Sequence, residues 1–177
     1  MEKERAALLV RPTRPEDLDR ILALYRIARD FMRRTGNPTQ WKDSWPPDEL
    51  AAEDIAQGRS MAVVSGETVV GVFAWYQGVD VDPTYREMAE GSWLEDSEYI
   101  VIHRAASSGE VPGVLRAVMD WAWARCPHIR VDTHTDNAVM RHLLGRMGFE
   151  YRGIIYVPQD TAPRLAFELL RPPALHV

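Results

Sequence analysis

Two histidines stand where a proton could be moved. His103 lies in Tyr99–Ala105, a β-branched and apolar run that predicts a strand. Period-two alternation puts Tyr99, Val101 and His103 on one face. His134 closes a second such run, Ile129–Thr133. Histidine exchanges a proton near neutral pH, so His103 and His134 are the candidate general bases, with Tyr99 as a third candidate catalytic group. A histidine that only hydrogen-bonds backbone is an equally ordinary reading of either position. His128, His142 and His176 lack any partner pattern and are expected at the surface. Nothing in the spacing of His, Cys, Asp and Glu supports a metal site.

A second chemical feature is the loop Ser107-Ser108-Gly109-Glu110-Val111-Pro112-Gly113, between the first run and a helix start. Such a loop offers free backbone N–H groups and the positive end of a helix dipole, which suits a pyrophosphate. Two glycines before a helix are more often just a turn. Trp41, Trp45, Tyr76 and Trp93 are candidates to line an acceptor pocket, although aromatics are usually core. Glu95, Asp96 and Glu98 could attract a cation or form a solvated loop.

These groups need elements to hold them. Leu8–Arg11 predicts a first strand. Thr13-Arg14-Pro15-Glu16 reads as a capping box with proline in the first turn. Leu18, Ile21, Leu22, Tyr25 and Ala28 follow at helical spacing, to about Arg34. A second helix covers Asp48 to Gln57 and stops at Gly58. Met61–Ser65 and Val69–Tyr76 read as strands joined by a turn, and a loop with Pro83 and Gly91 follows. Gly113–Cys126 is helical, with Val114, Val118, Trp121 and Ala122 on one face. After Ile129–Thr133, Asp136 starts a helix with a stripe of Met140, Leu143, Leu144 and Met147. Tyr151–Val157 and Arg164–Leu169 end as strands, antiparallel through the Pro158-Gln159-Asp160 turn. The fold class is α/β with a mixed sheet, and a central strand–helix–strand unit implies parallel pairing there.

Composition bounds the rest. The chain has 177 residues, which suits one domain over residues 1–177, with 171–177 expected as a mobile tail. The net charge of −5 argues against nucleic acid, which needs a basic stripe. The longest apolar runs are too short to span a bilayer, and Met1 to Val10 is not expected to act as a secretory leader. Cys126 is the only cysteine, so no internal disulfide forms. A cytoplasmic chain is expected.

Three stretches resemble the GNAT (N-acetyltransferase) superfamily. Val101–Ser107 running into Val111-Pro112-Gly113-Val114 looks like its fourth strand and pyrophosphate loop. Ile129-Arg130-Val131-Asp132-Thr133-His134-Thr135-Asp136-Asn137, then Met140, Leu143-Leu144 and Gly148-Phe149, is similar to its fifth strand and fourth helix. Gly153-Ile154-Ile155-Tyr156 is like its sixth strand. The resemblance covers nearly the whole chain. It implies a GNAT fold whose parallel fourth and fifth strands splay apart, and acetyl-CoA wedged between them as co-substrate. The pantetheine would run along the backbone near His103 and Ala105. The pyrophosphate would meet the backbone of Val111, Pro112, Gly113, Val114, Leu115 and Arg116. Asn137 would bond the pantetheine, with Met140 and Leu144 near the thioester. The implied activity is transfer of acetyl to a primary amine of a small molecule or peptide, with no metal, nucleic acid or membrane involved.

Glu110, Leu115 and Leu144 depart from the family pattern of loop and thiolate-protonating tyrosine. They motivate a second reading, a non-catalytic acyl-CoA or ligand sensor. A third reading is an interaction protein that forms a homodimer through exposed last strands.

Overall fold

Valine-rich alternation builds the centre of one sheet, and polar turns separate its strands. The computed structural model describes residues 7–171. In chain order the elements are β1 Leu8–Pro12, α1 Leu18–Arg34, α2 Asp48–Ala56, β2 Ser60–Ser65 and β3 Thr68–Gly78. Then come β4 Glu90–Gly91, β5 Tyr99–Ser107, α3 Val114–Trp123, β6 His128–His134, α4 Ala138–Arg146, β7 Glu150–Ile155 and β8 Arg164–Leu170. The strands form one eight-stranded sheet in the order β1-β2-β3-β5-β6-β8-β7-β4. This is the expected mixed α/β architecture. The two-residue β4 lies in what the sequence suggests is a plain loop, so the expected fourth and fifth strands are β5 and β6.

Two apolar layers cover the sheet. On one face α3 packs Val114, Val118 and Trp121 against Phe73, Ile100, Ile102 and Ile129. On the other, α1 buries Ile21, Leu24, Tyr25 and Ala28 against Val64, Val72 and Ala106. A smaller cluster of Tyr85, Tyr99, Val101, Ile155 and Ala166 continues that second face beneath residues 79–98.

Several local expectations change. The capping interaction sits one residue later than Thr13–Glu16 suggests. Asp17, not Glu16, accepts from the backbone N–H of Arg14 at 2.8 Å and also takes both guanidinium nitrogens of Arg11. Thr13 instead donates to the Ser60 carbonyl. In α4 only Leu144 of the predicted stripe is fully buried. Leu143 is 38% exposed, because this nine-residue helix lies against the sheet along one narrow line. His128 is 1% exposed rather than at the surface, because β6 is an interior strand. His142 is exposed as expected, and His176 lies outside the described residues. Of the expected mobile tail, Arg171 is held by the Pro127 carbonyl and Trp123; residues 172–177 lie outside the described residues. The last two strands are antiparallel, yet β8 inserts between β6 and β7 and is no edge strand.

The sheet has one discontinuity. β5 and β6 are parallel but pair only at Ile100↔Ile129 and Val101↔Arg130. Beyond those pairs the strands run apart. Among the described residues no helix is long and apolar enough to cross a membrane.

Candidate active site at the parting of two strands

The β5 backbone breaks its own alternation where the strands part. Val72 faces Ala106 and Ala74 faces His103, so β5 carries one extra residue in this interval. Arg104 has φ 52°, the left-handed conformation of a bulge. The bulge turns His103 and Arg104 toward the same face. Simple alternation would have sent Arg104 against α3. Instead its guanidinium forms two bonds of 2.9 and 3.0 Å with the buried Asp54 of α2.

The parting opens a cleft of about 510 Å³, lined by β5, β6, the 40–45 segment, the start of the 79–98 loop and the β7–β8 turn. Pockets of roughly this size hold small-molecule ligands. His103 stands in it between two carboxylates. Its Nε2 is 2.6 Å from Asp82 Oδ2, and its Nδ1 is 3.9 Å from Asp132 Oδ1. The Tyr85 hydroxyl donates to Asp132 Oδ1 at 2.7 Å. Burial would raise the Asp82 carboxyl, but bonds from His103 and from Thr84 outweigh it and hold it below its ordinary value. Asp82 is therefore ionised and accepts the hydrogen bond that His103 Nε2–H donates. That tautomer leaves the lone pair of Nδ1 available.

The other sequence candidates divide. Trp41, Trp45 and Tyr76 line the cleft, as do Ala105, Leu115, Asn137 and Met140. Trp93 does not. It lies over Tyr85, donates to its carbonyl and carries the Arg130 guanidinium on its ring. Tyr99 is buried beneath the site. Its hydroxyl accepts the backbone N–H of Asp82 at 3.4 Å, so it positions the loop rather than facing the cleft. Leu144 belongs to the core under α3 and has no place on the cleft wall. His134 is buried outside the lining; its Nδ1 accepts the Asp136 N–H at 3.1 Å and its Nε2 is 3.4 Å from the Thr39 hydroxyl. Both nitrogens are engaged, which fits the backbone-bonding alternative rather than a base. Asn137 caps α4 through Oδ1 and donates through Nδ2 to Gln40.

The loop before α3 has the anticipated form. Gly113, at φ 89°, precedes the helix, and Val114, Leu115 and Arg116 present its first-turn N–H groups. Val111 precedes this turn, while Pro112 has no N–H to give. Glu110 is exposed and turns to Arg20 at 3.2 Å, which draws its charge away from the helix start.

The loop that carries Asp82 is fastened from below. Glu168 is fully buried and accepts from His128 at 2.6 Å, Arg130 at 3.2 Å and the backbone N–H of Leu94 at 2.7 Å. Arg130 also donates to the Glu95 carbonyl at 2.6 Å. The far end is held where β4 crosses β7. There a Cβ on Gly153 would meet the Glu90 carbonyl oxygen at 1.9 Å, so the crossing requires glycine. Glu95 thus serves through its backbone, and the acidic run 95–98 is an anchor for the loop rather than a wall of the cleft.

A family model described as an acetyltransferase (GNAT) domain matches residues 7–150. The chain belongs to the GNAT acetyltransferase family. A GNAT-family acetyltransferase from Streptococcus agalactiae 2603 superposes with a TM-score of 0.82 at 25% identity, over 95% of this chain and 98% of that one. A GNAT-family acetyltransferase from Listeria monocytogenes 4b F2365 gives 0.63 at 18% identity, over 91% and 93% of the two chains. A chain of the NatC complex, bound to Gag peptide and CoA, gives 0.57 at 14% identity, over 93% and 99%, a likeness of fold alone. No curated protein matches the chain in sequence.

Within this GNAT domain, sequence reasoning missed Asp82, Asp132, Gln40 and Arg164. Asp82 carries a local signal, since Asp-Pro-Thr reads as a turn cap and its Oδ1 does accept from Thr84. Its second oxygen reaching His103 is a tertiary fact. Asp132 shares the His134 face of β6 by alternation, a parity that the sequence displays.

His134 also yields a pH prediction. Burial and the Arg164 charge hold its pKa below 6.5. A lowered folded pKa means stability present above the unfolded value and lost as pH falls through the folded one. His134→Asn keeps an acceptor for the Asp136 N–H and cannot titrate. Thermal unfolding on either side of pH 6.5 should show the wild type losing more stability on the acid side than this variant.

Proposed function

We propose that this GNAT protein transfers the acetyl group of acetyl-CoA to a primary amine, with His103 as the general base. The observation that carries the reading is the Asp82–His103 pair, held at 2.6 Å where β5 and β6 part. The residues present fit the co-substrate. β5 past Val101 has no β6 partner, so its backbone groups there can accept an amide-bearing chain as a strand would. Leu115, Met119 and Met140 give that channel an apolar wall. The N–H groups at the start of α3 suit the pyrophosphate.

Acetyl-CoA supplies the acyl carbon as a thioester, whose C–S bond breaks, with the pair leaving on sulfur, as the amine's C–N bond forms. Asp132 attracts the incoming ammonium. His103 Nδ1 takes the proton that the amine must lose, and the resulting imidazolium lies between two carboxylates. Asp82 fixes the tautomer and ring plane, and Tyr85 fixes Asp132.

Titration calorimetry with acetyl-CoA, followed by thiol release with a panel of amines, tests this. Saturable binding and amine-dependent release of CoA are expected. Binding without release under every amine would leave a ligand sensor; absence of binding would remove the enzyme reading altogether.

A further inference from the structure

The cleft holds a cation that no step above uses. Arg164, the first residue of β8, is 3% exposed and lines the cleft. Its Nη2 reaches Asp160 at 3.1 Å and the Gln40 carbonyl at 3.5 Å. Its Nη1 is buried and meets no acceptor among the described residues. A buried donor without a partner is costly, and a ligand oxygen at that point would relieve the cost.

The sheet fixes where this donor stands. Arg164 faces His134 across the β6–β8 pair, and Ala166 faces Asp132. Arg164 and Asp132 therefore share one face as diagonal neighbours, about 7–8 Å apart along the strands. His103 looks out from that same face, beside Tyr99 and Val101. The channel wall of Leu115 and Met119 belongs to α3, which packs on the opposite face. So Arg164 stands with the acceptor amine, not with the co-substrate. Of the cleft's two other arginines, one is fully engaged and the other stands away from Asp132. Arg104 is bound by both oxygens of Asp54. Arg59 reaches Glu53 at 3.4 Å. Its buried Nε, 3.9 Å from Asp54, also meets no hydrogen-bond partner among the described residues. This residue, however, enters β2 and lies over the Tyr76 ring, with β3 and β5 between it and Asp132 on β6.

We infer that the acceptor is a zwitterion of the amino-acid class, its ammonium group at Asp132 and His103 and its carboxylate on Arg164 Nη1. The inference rests on the acetyl-transfer reading and narrows its substrate. A charged guanidinium N–H bonds a carboxylate more strongly than a neutral donor does, and Nη1 is the N–H left for it. Asp160 already compensates part of the Arg164 charge, so the arginine can stay buried while the acceptor is away.

The test compares matched acceptors in the wild-type protein: α-, β- and γ-amino acids against their carboxamides and their decarboxylated amines. Acetyl-CoA binding is measured separately by calorimetry. The acids should show KM lower by about 10- to 150-fold than their neutral partners, the range of one hydrogen bond to a charged group. Arg164→Gln should raise the KM of the acids by about 10- to 150-fold more than that of the carboxamides, whereas a purely structural arginine would affect both alike. Arg164→Lys, which keeps charge but not the planar fork, should retain part of the preference. Equal use of acids and carboxamides, or equal losses in Arg164→Gln, overturns the zwitterion while acetyl transfer stands. The same holds if acetyl-CoA binds and amines are acetylated but no amino acid is. Failure of acetyl-CoA to bind removes both readings together.

Discussion

Replacing His103 with alanine is expected to lower kcat by about 10²–10⁴-fold, the usual contribution of a positioned general base. The limb of the pH–rate profile on which rate rises as a histidine loses its proton should disappear with it. Acetyl-CoA affinity should change little, because the pair with Asp82 and the face toward Asp132 lie apart from the start of α3. Asp82→Asn makes the finer test. The asparagine keeps the volume but offers Nε2 a weaker, uncharged partner, so the tautomer with a free Nδ1 is less favoured. Its kcat should fall less than that of His103→Ala, with the limb displaced rather than lost. An unchanged profile in His103→Ala would end the assignment of the base.

Replacing Glu168 with alanine should destabilise the protein by about 3–5 kcal/mol, because it leaves the buried Arg130 charge uncompensated and His128 Nε2 without its partner. In a domain of this size that is a fall in Tm of roughly 6–20 °C. The consequence for the site is specific. Glu168 holds the Leu94 N–H, and Arg130 holds Glu95 and Trp93, so the loop that carries Asp82 and Tyr85 loses its anchor. Activity should drop even at temperatures where the variant is folded. Burial would raise the Glu168 carboxyl, but His128, the Leu94 N–H and Arg130 bring it below 4.5. A depressed carboxylate contributes stability above its unfolded value that is lost as pH falls through the folded one. Glu168→Gln should accordingly flatten the loss of stability on the acid side of pH 4.5, measured by denaturant unfolding across that window. The same fall in stability with and without the carboxylate would contradict this role.

The chain by itself determined the frame. Alternating apolar residues, glycine stops and a central strand–helix–strand unit are local patterns. They place β1, α1, α2, β2, β3, β5, α3, β6, α4, β7 and β8 nearly where they stand. It also singled out His103 and the loop before α3, since a strand histidine and free helix-start amides are chemically distinctive in isolation. Tertiary structure decided what these groups face. The bulge at Arg104 follows from pairing with β3 and not from any residue type in β5, so no alternation rule could turn Arg104 onto Asp54. His128 and His134 look alike as letters. Only burial and partners show that one anchors Glu168 and the other caps a turn. Asp82 reaches His103 across 21 residues, and Gln40 reaches Asn137 across 97. Such contacts arise from the closing of a long loop over a splayed sheet, and chain-local spacing carries no record of them. The two histidines that opened as equals are separated by that physics: His103 keeps a free nitrogen toward a carboxylate-lined cleft, and His134 does not.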